Sequence, residues 1–363
     1  MKKKPSLKQH LQKTFLDLIH IDEIYEQENE VIKYCESYLE ELGIRVKKDP
    51  FNNVIAYLEG EGESIMLNTH LDIPESVPNL DYKIEGDIIK GTGKSILGAD
   101  PKSGLTVLLE LATYIKKNNI KTNPIEFVFT RGEEAGLYGA INLDYSLLQS
   151  KIGLVIDEDG PCTNVVVQAP SFYRLYVAVL GKTVHSRDHK EGINAIEIIS
   201  HIIANLKQGE PTPGVSFNIG ILSGGTAVNS VSGNALFKAE MRSFDTQKML
   251  ATAKKIEAQI HKIGRRMKGK IIIDSELEFE GYKLERKHKL FLRLQETYKK
   301  MNLKEHYYET FGGSDANVIN AHGIHCVPIG SAYYLAHQYT EYVKLSEMEE
   351  LLMFLLEFVK TKS

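Results

Sequence analysis

Apolar positions in residues 6–20 fall on one helical face, Leu11, Phe15, Leu18 and Ile19, behind Ser6 and Gln9, which are spaced as a capping box. A second helical period covers residues 29–42 and meets Gly43, well placed to end it in the left-handed conformation. The pattern then shortens to extended runs at Val54–Leu58 and residues 64–69, divided by the turn-forming string EGEGE. A helix after Asp100, a strand at Ile125–Thr130, a helix near residues 137–143 and a strand at 153–156 follow in alternation. Such alternation predicts an α/β fold, a helix-flanked mixed sheet with largely parallel strands.

The middle of the chain changes character. Strand FYRLYVAVLG, helix NAIEIISHIIANLK, strands VSFNIGILSG and ALFKAEMRSF, helix KMLATAKKIEAQIHKIGRRM and strand KIIIDSELEF succeed one another. This βαββαβ order is the split motif of a small α+β sandwich. Alternation resumes at Tyr282 and ends in a helix over residues 346–360. The expected organisation is one α/β domain, residues 1–171 plus 282–363, with an α+β domain, residues 172–281, inserted in it.

The 363 residues are enough for two cores, and 42% hydrophobic with 25% charged residues is ordinary for a soluble globular protein. A net charge of −4 gives no electrostatic reason to expect nucleic acid or an anionic membrane as partner. The basic opening MKKKPSLKQHLQK lacks the apolar stretch of a secretory signal, and the dense apolar run at residues 351–356 is too short to span a bilayer. Cys35, Cys162 and Cys326 form no CxxC pair and suit a reducing compartment, so a cytoplasmic location is expected.

Candidate chemistry sits where strands end. In NTHLD, His70 and Asp72 lie two apart and share one side of an extended chain, so Asp72 is able to orient the imidazole. Asp100, in LGADPKSG, stands at a strand-to-helix junction, where a carboxylate can bridge two cations or simply cap a helix whose next residue is proline. Glu133 and Glu134 follow the strand IEFVFT, at the carboxyl end where open α/β sheets build sites. Asp157 closes GLVI, although Glu158 and Asp159 beside it leave the choice of ligand open on spacing alone. With His337 these residues offer two imidazoles and three carboxylates, enough to hold a pair of divalent cations with a position open for water.

Taken in order, HLD, LGADPKSG, FTRGEEAGLYGA, VIDEDGP, GKTVHS, GGTAVN, AEMRS, GGSDAN and a final H-x-x-x-E resemble the M20 metallopeptidase family, and within it the peptidase T-like branch of aminopeptidases and tripeptidases. The similarity runs nearly the full length and includes the inserted domain. It implies two metal ions, zinc or else cobalt or manganese, with Asp100 bridging. His70 and Asp157 would complete one ion's shell, and Glu134 and His337 the other's. Asp72 would orient His70, Glu133 would be the general base, and His185 of the inserted lid would serve the oxyanion. Asn229, Arg242, Gly313 and Ser314 match substrate-contacting positions; Arg242 suits a planar carboxylate, with a structural ion pair as its competing role, and the glycines equally suit tight turns. The implied activity is cleavage of short peptides from the amino end, with N-acyl-amino-acid deacylation or carboxypeptidase action as the alternative on the same site. A homodimer formed through the inserted domain is also implied, in which His185 serves its own site or a neighbour's.

Two departures from the family pattern carry expectations. Pro101 follows the bridging aspartate where an acidic or amide residue is common, which predicts a cis Asp100–Pro101 bond. Gln338 follows His337 where Thr or Ser is frequent, among Tyr333, Tyr334, Tyr339 and Tyr342. Other strings carry less. GTGKS at residues 91–95 has Ile88 where a phosphate loop needs glycine, no HExxH occurs, and the basic cluster from Lys262 to Lys270 reads as the solvated end of a helix.

Overall fold

Four strands with long apolar runs, Ile65–His70, Ile125–Thr130, Ile152–Glu158 and His325–Gly330, form the centre of the first of two units in the computed structural model. The structure describes residues 5–361; the basic residues 2–4 of the opening stretch lie outside the described residues. The first unit comprises the chain up to Val167, Lys283–Glu309, and the chain from Ser314 onward; the second comprises Gln168–Tyr282 and Thr310–Gly313.

The first unit's sheet runs Arg45–Lys48, Val54–Leu58, Ile125–Thr130, Ile65–His70, Ile152–Glu158, His325–Gly330, and continues through Asn164–Ala169. Parallel pairing is concentrated in the four central strands, and the flanks are antiparallel. Ile65–His70 and Ile125–Thr130 are buried at every position, as parallel strands covered on both faces must be. Val54–Leu58 and Ile65–His70 are consecutive yet do not pair. Ile125–Thr130 lies between them, antiparallel to one and parallel to the other.

Helices flank this sheet. Leu7–Ile19 begins with the Ser6–Gln9 capping box, and Asn29–Glu41 is followed by Gly43 at φ 68°. Ala99–Asn118 packs against Leu7–Ile19 and Leu345–Val359, and against strands Ile65–His70 and Ile152–Glu158. Gly104 makes that close approach feasible, since a Cβ there would lie 2.5 Å from the carbonyl oxygen of Ile156 and 3.1 Å from Oγ1 of Thr69. The helix that begins beside Asp100 is thereby set directly on the two strands that end at His70 and beyond Asp157.

A small antiparallel sheet, Tyr333–Tyr334, Tyr342–Lys344, Ile88–Gly91 and Tyr82–Glu85, has no counterpart in the sequence pattern. It matters because the loop between its first two strands carries His337.

The second unit is a five-stranded antiparallel sheet in the order Gly209–Thr212, Val215–Gly224, Asn234–Ser243, Ser171–Leu180, Lys270–Phe279. Ser171–Leu180 and Asn234–Ser243 alternate between more and less buried positions. Tyr173, Leu175, Val177 and Val179 turn inward and share a core with Ile198, Ile199 and Ile202 of helix Ala195–Asn205 and Ile256, Ile260 and Ile263 of helix Thr246–Arg266. Outward-facing Arg174 pairs with Asp274 at 2.7 Å, Glu276 at 3.1 Å and Glu278, while Leu180, Leu236 and Ile272 are exposed on the same face. Gly209–Thr212 adds an edge strand to the βαββαβ pattern.

Candidate metal centre

Three adjacent parallel strands deliver most of the candidate ligands at their carboxyl ends. His70 is the last residue of its strand and lies in register with Thr130, after which the chain turns through Arg131 and Gly132 to Glu133 and Glu134. Asp157 sits near the end of the strand on the other side of His70. Asp100 arrives from the helix packed across them, with φ −81° and ψ 114° and a cis bond to Pro101, as expected from the proline. His337 comes from the loop of the small sheet and adopts φ 62°; Leu335 in the same loop and Ala332 just before the first strand also have positive φ. Left-handed non-glycine residues are uncommon and cluster where a site imposes them.

The structure brings His70, Asp72, Asp100, Glu133, Glu134, Asp157 and His337 together. His70 Nε2 lies 3.0 Å from Asp100 Oδ1 and 3.4 Å from Asp157 Oδ1. The other oxygen of Asp100, Oδ2, lies 3.5 Å from His337 Nε2, which in turn lies 2.7 Å from Glu134 Oε1. Two ligand sets follow, His70–Asp100–Asp157 and Asp100–Glu134–His337, each with its donor atoms within 4.8 Å of one another and sharing Asp100. Glu133 joins His70 and Glu134 in a third set of the same span. Spacing alone left Asp157 undecided against its acidic neighbours; the position of its carboxylate beside His70 distinguishes it.

Asp72 faces the opposite edge of His70, its Oδ1 3.5 Å from Nδ1. The same carboxylate accepts the backbone N–H of Glu133 at 2.9 Å and of Glu134 at 3.1 Å. His70 is 2% exposed and Asp72 fully buried, so this edge of the imidazole has no water to turn to. A carboxylate behind an imidazole whose far nitrogen faces further carboxylates is the arrangement that fixes a metal-binding histidine.

Charge is out of balance here. Burial pushes the carboxyls of Glu133, Glu134 and Asp157 above their ordinary values. Burial alone would depress His70, but Asp157, Asp100 and Asp72 outweigh it and hold the imidazole well above its usual range. Hydrogen bonding to Asp100 and Glu134 raises His337 to about 10. Asp100 moves the other way; desolvation opposes its ionisation, yet the two imidazoles hold it below the usual range. Five carboxylates around two imidazoles leave negative charge that bound cations would neutralise, and oxygen and imidazole donors suit zinc, cobalt or manganese.

Residues outside the candidate set contact the site and the segments that carry it. The guanidinium of Arg131 donates to Glu28 at 2.7 Å and to the carbonyl of Phe51 at 3.0 Å, and its N–H donates to Asn53, which steadies the turn into Glu133. Tyr333 donates to Asp157 at 3.4 Å. Asp315 is 1% exposed and accepts from Thr130, the residue beside His70 in the sheet; its Oδ1 has no hydrogen-bond partner among the described residues. Glu341, noted in the sequence only for its spacing from His337, grips the backbone around Asp100.

The remaining candidates have local partners. Ser314, in the first unit, caps helix Asp315–Ala321 in a capping box with Asn317. In the second unit His185 is exposed, accepts the N–H of Arg187 on its Nδ1, and forms a backbone bridge with Ser230; Asn229 is adjacent, its carbonyl accepting from Ser186 at 2.9 Å. Arg242 has its guanidinium engaged by Glu240 at 3.2 Å and the Phe311 carbonyl at 2.7 Å. Gly313 lies against a ring: a Cβ there would meet Phe279 Cζ at 2.3 Å.

The chain is similar to known proteins along most of its length. Residues 172–268 match the M20_dimer model, a peptidase dimerisation domain, and residues 53–168 match peptidase family M28. The protein YqjE of Bacillus subtilis is 32% identical over 345 residues, covering 92% of this chain and 93% of its own. A tripeptidase from Staphylococcus aureus superposes with a TM-score of 0.89 at 30% identity, covering 97% of this chain and 98% of its own. An aminopeptidase PepT from Bacillus cereus gives a TM-score of 0.85 at 28% identity, again covering 97% and 98%.

Proposed function

The chain belongs to the M20 metallopeptidases, of the peptidase T type, and on that premise we propose that it removes the amino-terminal residue of short peptides, tripeptides above all. The observation that carries the reading is the pair of ligand sets sharing Asp100. His70 and Asp157 would hold one divalent ion and Glu134 and His337 the other, with Asp100 between them; zinc is the proposed metal. When bound, such a pair lowers the pKa of a water and polarises the scissile carbonyl.

The protein's own groups do the rest. Asp72 fixes the orientation of His70 and, through its hold on two backbone N–H groups, the start of the Glu133–Glu134 segment. Glu133 takes the proton of the attacking water and passes it to the leaving amine; burial raises its carboxyl above the ordinary value. His185, on the second unit, is assigned to the oxyanion, and Asn229, Arg242, Gly313 and Ser314 to substrate positioning. For Arg242 that role requires release from Glu240.

The likeness to a tripeptidase and an aminopeptidase over 97% of the chain supports an exopeptidase acting at the amino end. Nothing in the site favours an N-acyl-amino-acid deacylase or a carboxypeptidase over it. The proposal includes a homodimer through the second unit, supported by its match to the dimerisation domain and by exposed Ile221, Leu222 and Val228. It also includes a cytoplasmic location, supported by three buried free thiols; among the described residues no helix is long and apolar enough to cross a membrane.

Free-amine di- and tripeptides and their N-acetylated forms, offered to the metal-loaded protein, test the reading. Tripeptides with a free amine should be cleaved and the acetylated ones spared; cleavage of acylated compounds alone would overturn it.

A further inference from the structure

Glu341 is 1% exposed and lies in the segment that presents His337. Its Oε2 accepts the backbone N–H of Leu97 at 2.9 Å and of Gly98 at 2.8 Å, and its Oε1 accepts that of Asp100 at 3.0 Å. Gly98 adopts φ 69°, so the N–H groups of this turn converge into the kind of concavity that holds an anion. The anion comes from the chain itself, 241 residues beyond Asp100. Glu341 is pinned in its turn as well: its N–H donates to Gln338 and its carbonyl accepts from Gly91, both at 2.9 Å.

We propose that Glu341 is a positioning residue that sets the shared carboxylate of Asp100 in register with His337 and so couples the two metal positions. The inference rests on the two-metal reading above. N–H groups at a helix start have no partner within the helix, and here they are buried, so the turn keeps its shape only while an acceptor fills it. A carboxylate has the two acceptor oxygens the arrangement uses. Glutamine has one; its NH₂ would face either the N–H of Asp100 or those of Leu97 and Gly98, donor against donor. Aspartate keeps the charge but is one methylene short of reaching both sides. Because Asp100 belongs to both ligand sets, its displacement weakens both ions together.

The test compares native protein, Glu341→Gln, Glu341→Asp and Glu126→Gln, each stripped of metal and titrated calorimetrically with Zn²⁺ alone. Glu126 is the control: a buried carboxylate that accepts the N–H of Gln149 at 2.8 Å and of Ser150 at 3.0 Å, at the opposite end of the strand that leads to Glu133. Native protein should take up two ions. Glu341→Gln should bind both more weakly, by about 10–100-fold, the range seen when groups supporting metal ligands are removed. Glu126→Gln should lose thermal stability yet bind zinc as the native protein does. Native affinity in Glu341→Gln, weakening of one ion alone, or equal weakening in Glu126→Gln would each overturn the inference. If Glu341→Gln does not fold, Glu341→Asp decides by the same criteria. A native protein that binds no zinc would overturn the two-metal reading itself, and the inference with it.

Discussion

The carboxylate of Asp72 accepts the backbone N–H of Glu133 at 2.9 Å, so the residue that faces the Nδ1 edge of His70 also fixes where the proposed base begins. Asparagine offers a single acceptor oxygen and cannot serve Glu133, Glu134 and His70 together. Asp72→Asn should therefore lower metal affinity by about 10-fold or more, and turnover with it. Metal content after dialysis and kcat at saturating metal measure the two effects; native values for both would remove Asp72 from the site's support.

Glu133→Gln separates the base from the ligands. Metal content should stay near native, because His70, Asp100, Glu134, Asp157 and His337 are untouched, while kcat falls by about 10²–10⁴-fold. Steady-state kinetics on a tripeptide, read against metal analysis of the same sample, decides it; unchanged turnover refutes the assignment.

Much of this architecture is legible in the sequence, for reasons that differ by element. Residues 6–20 and the inserted βαββαβ unit carry long one-faced periods, and such periods survive whatever packs against them. Arg45–Lys48, Gly209–Thr212 and the four strands of the small sheet are two to four residues long, too short to show a period, and the pairing of Tyr342–Lys344 with Ile88–Gly91 is set by a distant partner. The candidate ligands are legible because each follows an apolar run or a turn and the motifs stand in a known order. Their supports are not. Glu341 acts on a backbone 241 residues away, Asp315 on Thr130 across 185, and Arg131 on Glu28 across 103, and nothing local marks those contacts. Arg242 keeps both of its expected roles in play: its fork meets Glu240 and the Phe311 carbonyl in this structure, and a substrate carboxylate would have to compete with them.

The pair Glu28–Arg131 steadies the turn before Glu133 from within the protein, with side-chain exposures of 0% and 15%. Glu28→Ala leaves the guanidinium with the Phe51 carbonyl alone and should cost about 3–5 kcal/mol, as breaking one side of a buried pair does. Replacing both, Glu28→Ala with Arg131→Met, should cost less than the single change. Urea unfolding of the variants checks both statements.

Asp315 gives the metal-free protein a pH dependence of known sign. Burial raises its carboxyl to about 7, with the Thr130 hydroxyl opposing, while His70 lowers it and Asp157 and Asp72 raise it. The folded state then keeps a proton that the unfolded chain releases near pH 4, so this residue's contribution to stability falls as pH rises from about 4 to about 7. Asp315→Asn, which cannot ionise, should flatten the fall across that window. Thermal unfolding of chelator-treated protein at several pH values measures it; an unchanged slope would contradict the assignment.

A pair of ions sharing Asp100 is proposed to drive hydrolysis at the amino end of a peptide. Metal-stripped protein titrated with zinc, with cleavage of a free-amine tripeptide recorded at each addition, tests it most directly. Activity should be absent without metal and reach its plateau as the second equivalent per chain binds; full turnover in chelator, or a plateau with no metal bound, would contradict the account.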